Sequence, residues 1–399
     1  MARAHAKKLL PHLFSGLIAF GLASSVLFAA GMVAIHLEHT TLPSTAPELF
    51  PLKNQGLAFQ RAAAHTQDVL LLYGSSELIM GPIAERGGYF FRTAPTGFQL
   101  SPVGKPGATS MTILQKIGAL GSDLRGKRVA ISLSPVWFLV PGERADLYEG
   151  NFSLLAASEL AFGSALDFEL KRDIASRMLQ FPSTLEKSPL LEFALRRLSS
   201  DGWFDRVVFC AIWPIGKAYT AALELQDHFA AVTHILYGTR AALGRRRQGP
   251  GRSKLIAKAS GAGIAEEGKI ENTPASVEPI VPGSRDAVFV RRIDAASEWV
   301  DLELLLRALA KIQAQPLLLS MPMDGSFYDQ EGYSRLARED YYRKIRALAQ
   351  HYNFALVEFE DHDEDPAFLD TQHTHLTGKG WMFYDRALDD FFHGRLARN

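Results

Sequence analysis

Residues 370–381 read Asp-Thr-Gln-His-Thr-His-Leu-Thr-Gly-Lys-Gly-Trp, with one carboxylate and two imidazoles inside six residues. About three hundred residues upstream, Gly74-Ser75-Ser76-Glu77 closes an apolar run. A serine hydroxyl is a weak nucleophile at neutral pH, and an imidazole oriented by a carboxylate is the usual means of activating it. An early serine with acid and histidine together late is the chain order of an acyl-transfer triad. Ser76 is the candidate nucleophile, His375 or His373 the base, and Asp370 the group that orients the ring. Gly-Ser-Ser alone is a common turn sequence; the late acid–histidine cluster is what makes the pairing informative. A nucleophile elbow of the Gly-x-Ser-x-Gly kind would place glycine at 78, where Leu78 stands. The chain therefore departs from an ordinary α/β-hydrolase. It remains compatible with the flatter hydrolase type, in which the serine follows the first strand and Asp and His share one late loop.

Neighbouring residues have two readings each. Ser75 could be mistaken for the nucleophile or contact substrate. Glu77 either orients the site or, as a carboxylate at a helix start, complements the helix dipole. Trp137 and Phe138 either line an acyl pocket or pack in the core, so Ser75, Glu77 and Trp137 stand as candidate substrate-binding residues. His-x-His beside an acid is half of a zinc set, but no further His or Cys cluster completes a tetrahedron, so no metal or cofactor is expected. The charge run Asp361-His362-Asp363-Glu364-Asp365 reads as a solvated loop.

Four short apolar runs would have to position these groups. Asp68-Val69-Leu70-Leu71-Leu72-Tyr73 ends at Gly74, and Val129-Ala130-Ile131-Ser132-Leu133-Ser134 stops at Pro135. Leu317-Leu318-Leu319-Ser320-Met321 stops at Pro322, and Ala355-Leu356-Val357-Glu358-Phe359 follows. Residues 299–313 and 335–351 carry apolar side chains at helical spacing. Strands alternating with helices predict an α/β fold whose parallel sheet is covered on both faces. In such a fold the chemistry belongs at the C-terminal ends of the strands. Residues 155–237 look mostly helical, as an insertion would. Residues 240–286, rich in Gly, Arg, Pro and Ser, read as a long flexible loop, or alternatively as a basic surface for anionic polymers or lipids.

The 399 residues are 47% hydrophobic, enough for a sizeable core, and their formal net charge of zero gives no reason to expect a nucleic-acid partner. Cys210 is the single cysteine, so no intrachain disulfide can form; its apolar surroundings suggest a buried thiol. Basic residues Arg3, Lys7 and Lys8 precede an uncharged stretch over 13–35. Such a length spans a hydrocarbon core of about 30 Å and exceeds the apolar region of a cleavable signal. The positive-inside rule keeps residues 1–12 in the cytoplasm. It places a domain over about 40–399 outside, so the expected location is the cytoplasmic membrane, single-pass.

Several blocks resemble one family. Gly74-Ser75-Ser76-Glu77-Leu78 is similar to the serine block of the DltD family, the D-alanyl transfer proteins of teichoic-acid alanylation. Ser134-Pro135-Val136-Trp137-Phe138 and Asn151-Phe152-Ser153 resemble further blocks of it. So does the stretch from Met321-Pro322-Met323-Asp324-Gly325 to Gly332, with Asp324 where asparagine is usual. His375-Leu376-Thr377-Gly378-Lys379-Gly380-Trp381 resembles the family's His-Leu-Gly-x-Lys-Gly-Trp. The middle third matches poorly. The family has Asp three residues before its histidine. Here Asp370-x-x-His373 keeps that spacing while His375 keeps the distance to Trp381, as if two residues were added between acid and base. The longer match lies on the Trp381 side, which favours His375, with His373 the alternative.

The resemblance implies a three-layer SGNH hydrolase-like α/β domain with a parallel sheet and a helical insertion, preceded by one transmembrane helix. It also implies D-alanyl transfer to an envelope polymer such as teichoic acid. The expected partners are a membrane-bound O-acyltransferase (DltB-like) and a D-alanyl carrier protein (DltC-like). An oxyanion hole would draw on the Ser76 backbone N–H. The separate Gly and Asn blocks of typical SGNH hydrolases are not identifiable. An esterase or thioesterase using the same residues, and a non-catalytic partner of the O-acyltransferase, are the alternatives.

Overall fold

Alternation along the strands decides the architecture. In the computed structural model, which describes residues 2–45, 56–140, 142, 144–247 and 280–396, five strands form one parallel sheet. They are β1 (Val69–Gly74), β2 (Gln99–Gly104), β3 (Arg128–Leu133), β4 (Gln315–Ser320) and β5 (Ala355–Glu358). Leu71, Tyr73, Val129, Ile131 and Leu318 join one buried cluster, while Leu70, Leu72, Ala130, Leu317 and Leu319 join another. Successive side chains of a strand point to opposite faces. Both faces are therefore apolar, as a parallel sheet between two helical layers requires.

The helices follow in chain order. N-terminal to the sheet lie α1 (Ala2–Thr45) and α2 (Leu57–His65); α3 (Gly87–Thr93) and α4 (Ser110–Leu120) flank β2. The expected helical insertion is α5 (Ala145–Asn151), α6 (Leu154–Phe162), α7 (Phe168–Met178), α8 (Pro189–Leu198) and α9 (Trp203–Arg247). Then come α10 (Asp286–Ala295), α11 (Glu298–Ile312), α12 (Gly325–Gln330), α13 (Arg335–Tyr352) and α14 (Gly378–Phe392). Ala62, Ile117, Leu305 and Ile345 cover the first face of the sheet, and Phe91, Trp381 and Leu388 the second. The chain is thus α/β in three layers, predominantly helical.

Helix α9 continues to Arg247, into the stretch expected to be irregular, and residues 248–279 of that stretch lie outside the described residues. The expected burial of Cys210 is corrected: it is exposed on α9. The apolar run around it is helical, so Phe209 and, in part, Ile212 turn inward while Val207 and Cys210 face out.

Strand β2 escapes an apolar-run search because it contains Ser101, Pro102 and Gly104. Proline cannot donate to a ladder and is confined to sheet edges, and β2 is an edge strand in the order β2-β1-β3-β4-β5. That order reverses direction between β1 and β3. Open α/β sheets bind ligands beyond the carboxyl ends of the strands at such a switch point.

Within α1, Phe14–Leu42 is apolar and, at 29 residues, long enough to cross a membrane. Its C-terminal end packs on the domain. Ala34 and Leu42 are buried, and buried Glu38 pairs with His228 Nδ1 of α9 at 2.8 Å. The hydrogen bond and charge of Glu38 hold the His228 imidazolium above the ordinary histidine range, outweighing its partial burial.

Candidate active site

The serine turn follows β1 at the switch point. At Gly74 a Cβ would lie 2.4 Å from Glu77 Oε1, so glycine leaves room for the Glu77 side chain to fold back. There Oε1 accepts the Ser75 backbone N–H at 2.8 Å. Burial raises the Glu77 carboxyl pKa above the usual range, partly offset by the N–H groups of Ser75 and Glu77, the Ser132 hydroxyl and the nearby His375. Glu77 therefore shapes the turn from beneath; it is 2% exposed. Ser75 is turned inward as well, its Oγ accepting the Ala108 N–H at 3.1 Å from the loop after β2. Ser76 opens a single 3₁₀ turn, Ser76–Leu78, and is partly exposed. Its backbone N–H stands at the first position of that turn, where no helical acceptor exists.

The second component is a short loop between β5 and α14. Leu369 and Leu376 form an antiparallel bridge, and the Asp370 N–H donates to the His375 carbonyl at 2.8 Å. These contacts close the base of the loop and leave residues 371–374 as its tip. At the base, His375 is 2% exposed. Its Nε2 lies 3.0 Å from Ser76 Oγ, and its Nδ1 lies 3.2 Å from Asp370 Oδ2. A carboxylate at Nδ1 keeps the proton on that nitrogen and leaves Nε2 as the acceptor for the serine hydroxyl. Burial would raise the Asp370 carboxyl, but hydrogen bonds from His375 and the Gln372 N–H prevail and hold it below the usual carboxylate range.

His373 stands apart from this chain of bonds. It occupies the loop tip with φ 60°, its Nδ1 lies 2.7 Å from Asp324 Oδ2, and its ring stacks on Phe327 at 4.3 Å. The two imidazoles of the His-x-His pair thus engage two different carboxylates. Asp324 is the N-cap of α12, its Oδ1 accepting the Phe327 N–H at 3.0 Å and the Ser326 hydroxyl at 2.8 Å. The contact joins Asp324 to a histidine 49 residues away, which no local sequence pattern signals.

Trp137, on the turn Pro135–Phe138 after β3, is half-buried against the larger core cluster. Its indole Nε1 is buried and has no partner among the described residues. The charge run at 361–365 is only partly solvated: Asp363 is buried and accepts the Tyr342 hydroxyl at 2.6 Å and the Met323 N–H at 2.9 Å. Burial pushes its pKa up to about 7.

A family model described as "DltD protein" matches residues 46–393. Among similar proteins, Protein DltD of Bacillus subtilis (strain 168) is 28% identical over 354 residues, covering 87% of this chain and 88% of that one. Protein DltD of Staphylococcus aureus (strain NCTC 8325 / PS 47) is 22% identical over 303 residues, covering 72% and 71% respectively.

Proposed function

We propose, because the chain belongs to the DltD family, that it is an acyl-transfer enzyme that esterifies a cell-envelope polymer such as teichoic acid with D-alanine. In this reading α1 anchors it in the cytoplasmic membrane, with the basic N-terminus inside and the α/β domain outside. The observation that carries the catalytic part is the continuous set of contacts from Asp370 through His375 to Ser76, at 3.2 and 3.0 Å.

The steps follow from those contacts. Ser76 Oγ attacks the carbonyl carbon of an activated acyl donor as its proton moves to His375 Nε2. The Asp370 carboxylate steadies the resulting imidazolium. The Ser76 N–H is one donor for the developing oxyanion. Collapse breaks the bond to the donor's leaving group, which takes the proton from His375, and leaves the acyl group on Ser76. A polymer hydroxyl then attacks the ester carbonyl, giving its proton to Nε2. Ser76 leaves, recovers that proton, and the polymer ester departs. A membrane-bound O-acyltransferase (DltB-like) and a D-alanyl carrier protein (DltC-like) are the proposed suppliers of the acyl group.

Complementation tests this. Cells lacking the chromosomal gene and expressing Ser76→Ala should carry no more polymer D-alanyl ester than cells with empty vector, at equal membrane abundance. Wild-type ester levels in that strain would leave the family's pathway in place but make this chain a non-catalytic component of it.

A further inference from the structure

We infer that the Asp324–His373 pair is a latch that pins the tip of the catalytic loop to the start of α12 and so fixes His375 against Ser76. His373 is here a positioning residue, and the inference rests on the acyl-transfer reading above. Within the loop the tip is held by local bonds to Asp370, from the Gln372 N–H to Oδ1 at 3.0 Å and from the His373 N–H to the carbonyl at 2.9 Å; Thr371 and Gln372 are exposed, whereas His375 at the base is buried. A left-handed backbone is uncommon for a residue other than glycine and persists where the surroundings enforce it. At His373 the turn bond of its N–H to the Asp370 carbonyl is joined by two tertiary contacts that hold φ at 60°: the 2.7 Å bond to Asp324 and the stack on Phe327, whose planes lie 16° apart.

The receiving end is rigid. Both Asp324 oxygens are engaged, Oδ1 by the helix cap and Oδ2 by His373. Burial would raise this carboxyl, but the bonds from His373, Phe327 and Ser326 hold it below the usual range. The preceding and following backbone is fixed too. The Met323 N–H donates to the Tyr342 hydroxyl at 2.8 Å, and the Gly325 N–H to the Asp363 carbonyl at 2.8 Å. The loop carrying Asp370 and His375 is therefore strung between the serine turn and α12. Releasing its tip would let the Asp370–His375 geometry drift, and misplacement of about 1 Å costs on the order of 100-fold in rate.

The test uses the purified full-length chain in detergent, with two readouts: the rate of Ser76 labelling by a fluorophosphonate, and amide hydrogen exchange over residues 369–377. His373→Ala and Asp324→Ser should each slow labelling by about 10–100-fold, with faster exchange in the loop. Serine caps helices about as well as aspartate but is too short to reach His373, so the second change cuts the link and spares α12. The double variant should be no slower than either single one, because both cut the same link. His373→Asn should label within about threefold of wild type, since asparagine tolerates the left-handed region and its amide can donate to Asp324. Unchanged loop exchange in both single variants would overturn the latch whatever the labelling does. Labelling of His373→Asn as slow as that of His373→Ala would also overturn it, because the imidazole itself would then be required. A loosened loop in a protein whose wild type does not label at Ser76 would support the latch and sink the acyl-transfer reading instead.

Discussion

The indole N–H of Trp381 donates to the Met80 carbonyl oxygen at 3.2 Å, joining the helix that follows His375 to the turn that presents Ser76. Trp381 is 1% exposed, so the indole end of the bond is buried, while Met80 is half-buried. Close by, the Thr377 hydroxyl caps α14 and also donates to the Phe368 carbonyl at 3.1 Å. The distance from His375 to Trp381 along the chain therefore has a physical meaning. It sets how far His375 lies from a helix bolted to the turn that carries Ser76.

Replacing Trp381 by Phe keeps most of the apolar volume but leaves the Met80 carbonyl without its donor. A fully buried unsatisfied group costs about 1–3 kcal/mol, and the partly buried Met80 carbonyl belongs at the low end of that range. The expected outcome is a lower denaturant midpoint with an unchanged m-value, together with slower fluorophosphonate labelling of Ser76. A stability loss with labelling at the wild-type rate would show that Trp381 supports the fold without setting the site.

Gly81→Ala should be worse. This glycine has φ +87°, and an added Cβ would lie 2.5 Å from the Leu376 carbonyl oxygen. Both the backbone conformation and the contact forbid a side chain, and the obstructing atom is backbone. Destabilisation of about 2 kcal/mol or more is expected, with separation of the serine turn from the His375 loop. Thermal denaturation checks the first part and Ser76 labelling below the melting transition the second. A variant matching wild type in both would mean that the two loops are not held as close as described.

The Glu38–His228 pair predicts a pH dependence where α1 meets the domain. The folded-state pKa of His228 is raised, chiefly by the bond to Glu38. Its contribution to stability is therefore fully present below the unfolded histidine value of about 6.5. It is lost as pH rises through the higher folded value. The stability gap between wild type and His228→Gln in detergent should accordingly narrow as pH is raised from about 6 towards 9. A gap that widens over that range would reverse the assigned sign.

How much of this could be read in the sequence depended on whether the signal was local. Strands β1, β3, β4 and β5 are apolar runs with clear stops, and helices α11 and α13 follow their periodicity to within a residue. Strand β2 was hidden because an edge position tolerates Pro102. Burial of Asp363 and exposure of Cys210 depend on packing from distant segments, which composition does not encode. At the candidate site, chain order and the run from His375 to Trp381 singled out Ser76, Asp370 and His375, which the structure brings within hydrogen-bonding distance of one another. Asp370-x-x-His373 was the competing spacing, and a local rule could not resolve it. What separates the two histidines is a tertiary partner, Asp324, at the start of α12.

The claim that Ser76 is the nucleophile and His375 its base is tested most directly by locating the covalent adduct. The full-length chain, treated with a fluorophosphonate and digested, should carry the added mass on the peptide containing Ser75 and Ser76, with fragment ions assigning it to Ser76. The adduct should vanish in Ser76→Ala and fall by about three orders of magnitude or more in rate in His375→Ala, while His373→Ala still forms it, more slowly. An adduct on Ser75, or undiminished labelling of Ser76 in His375→Ala, would contradict the claim.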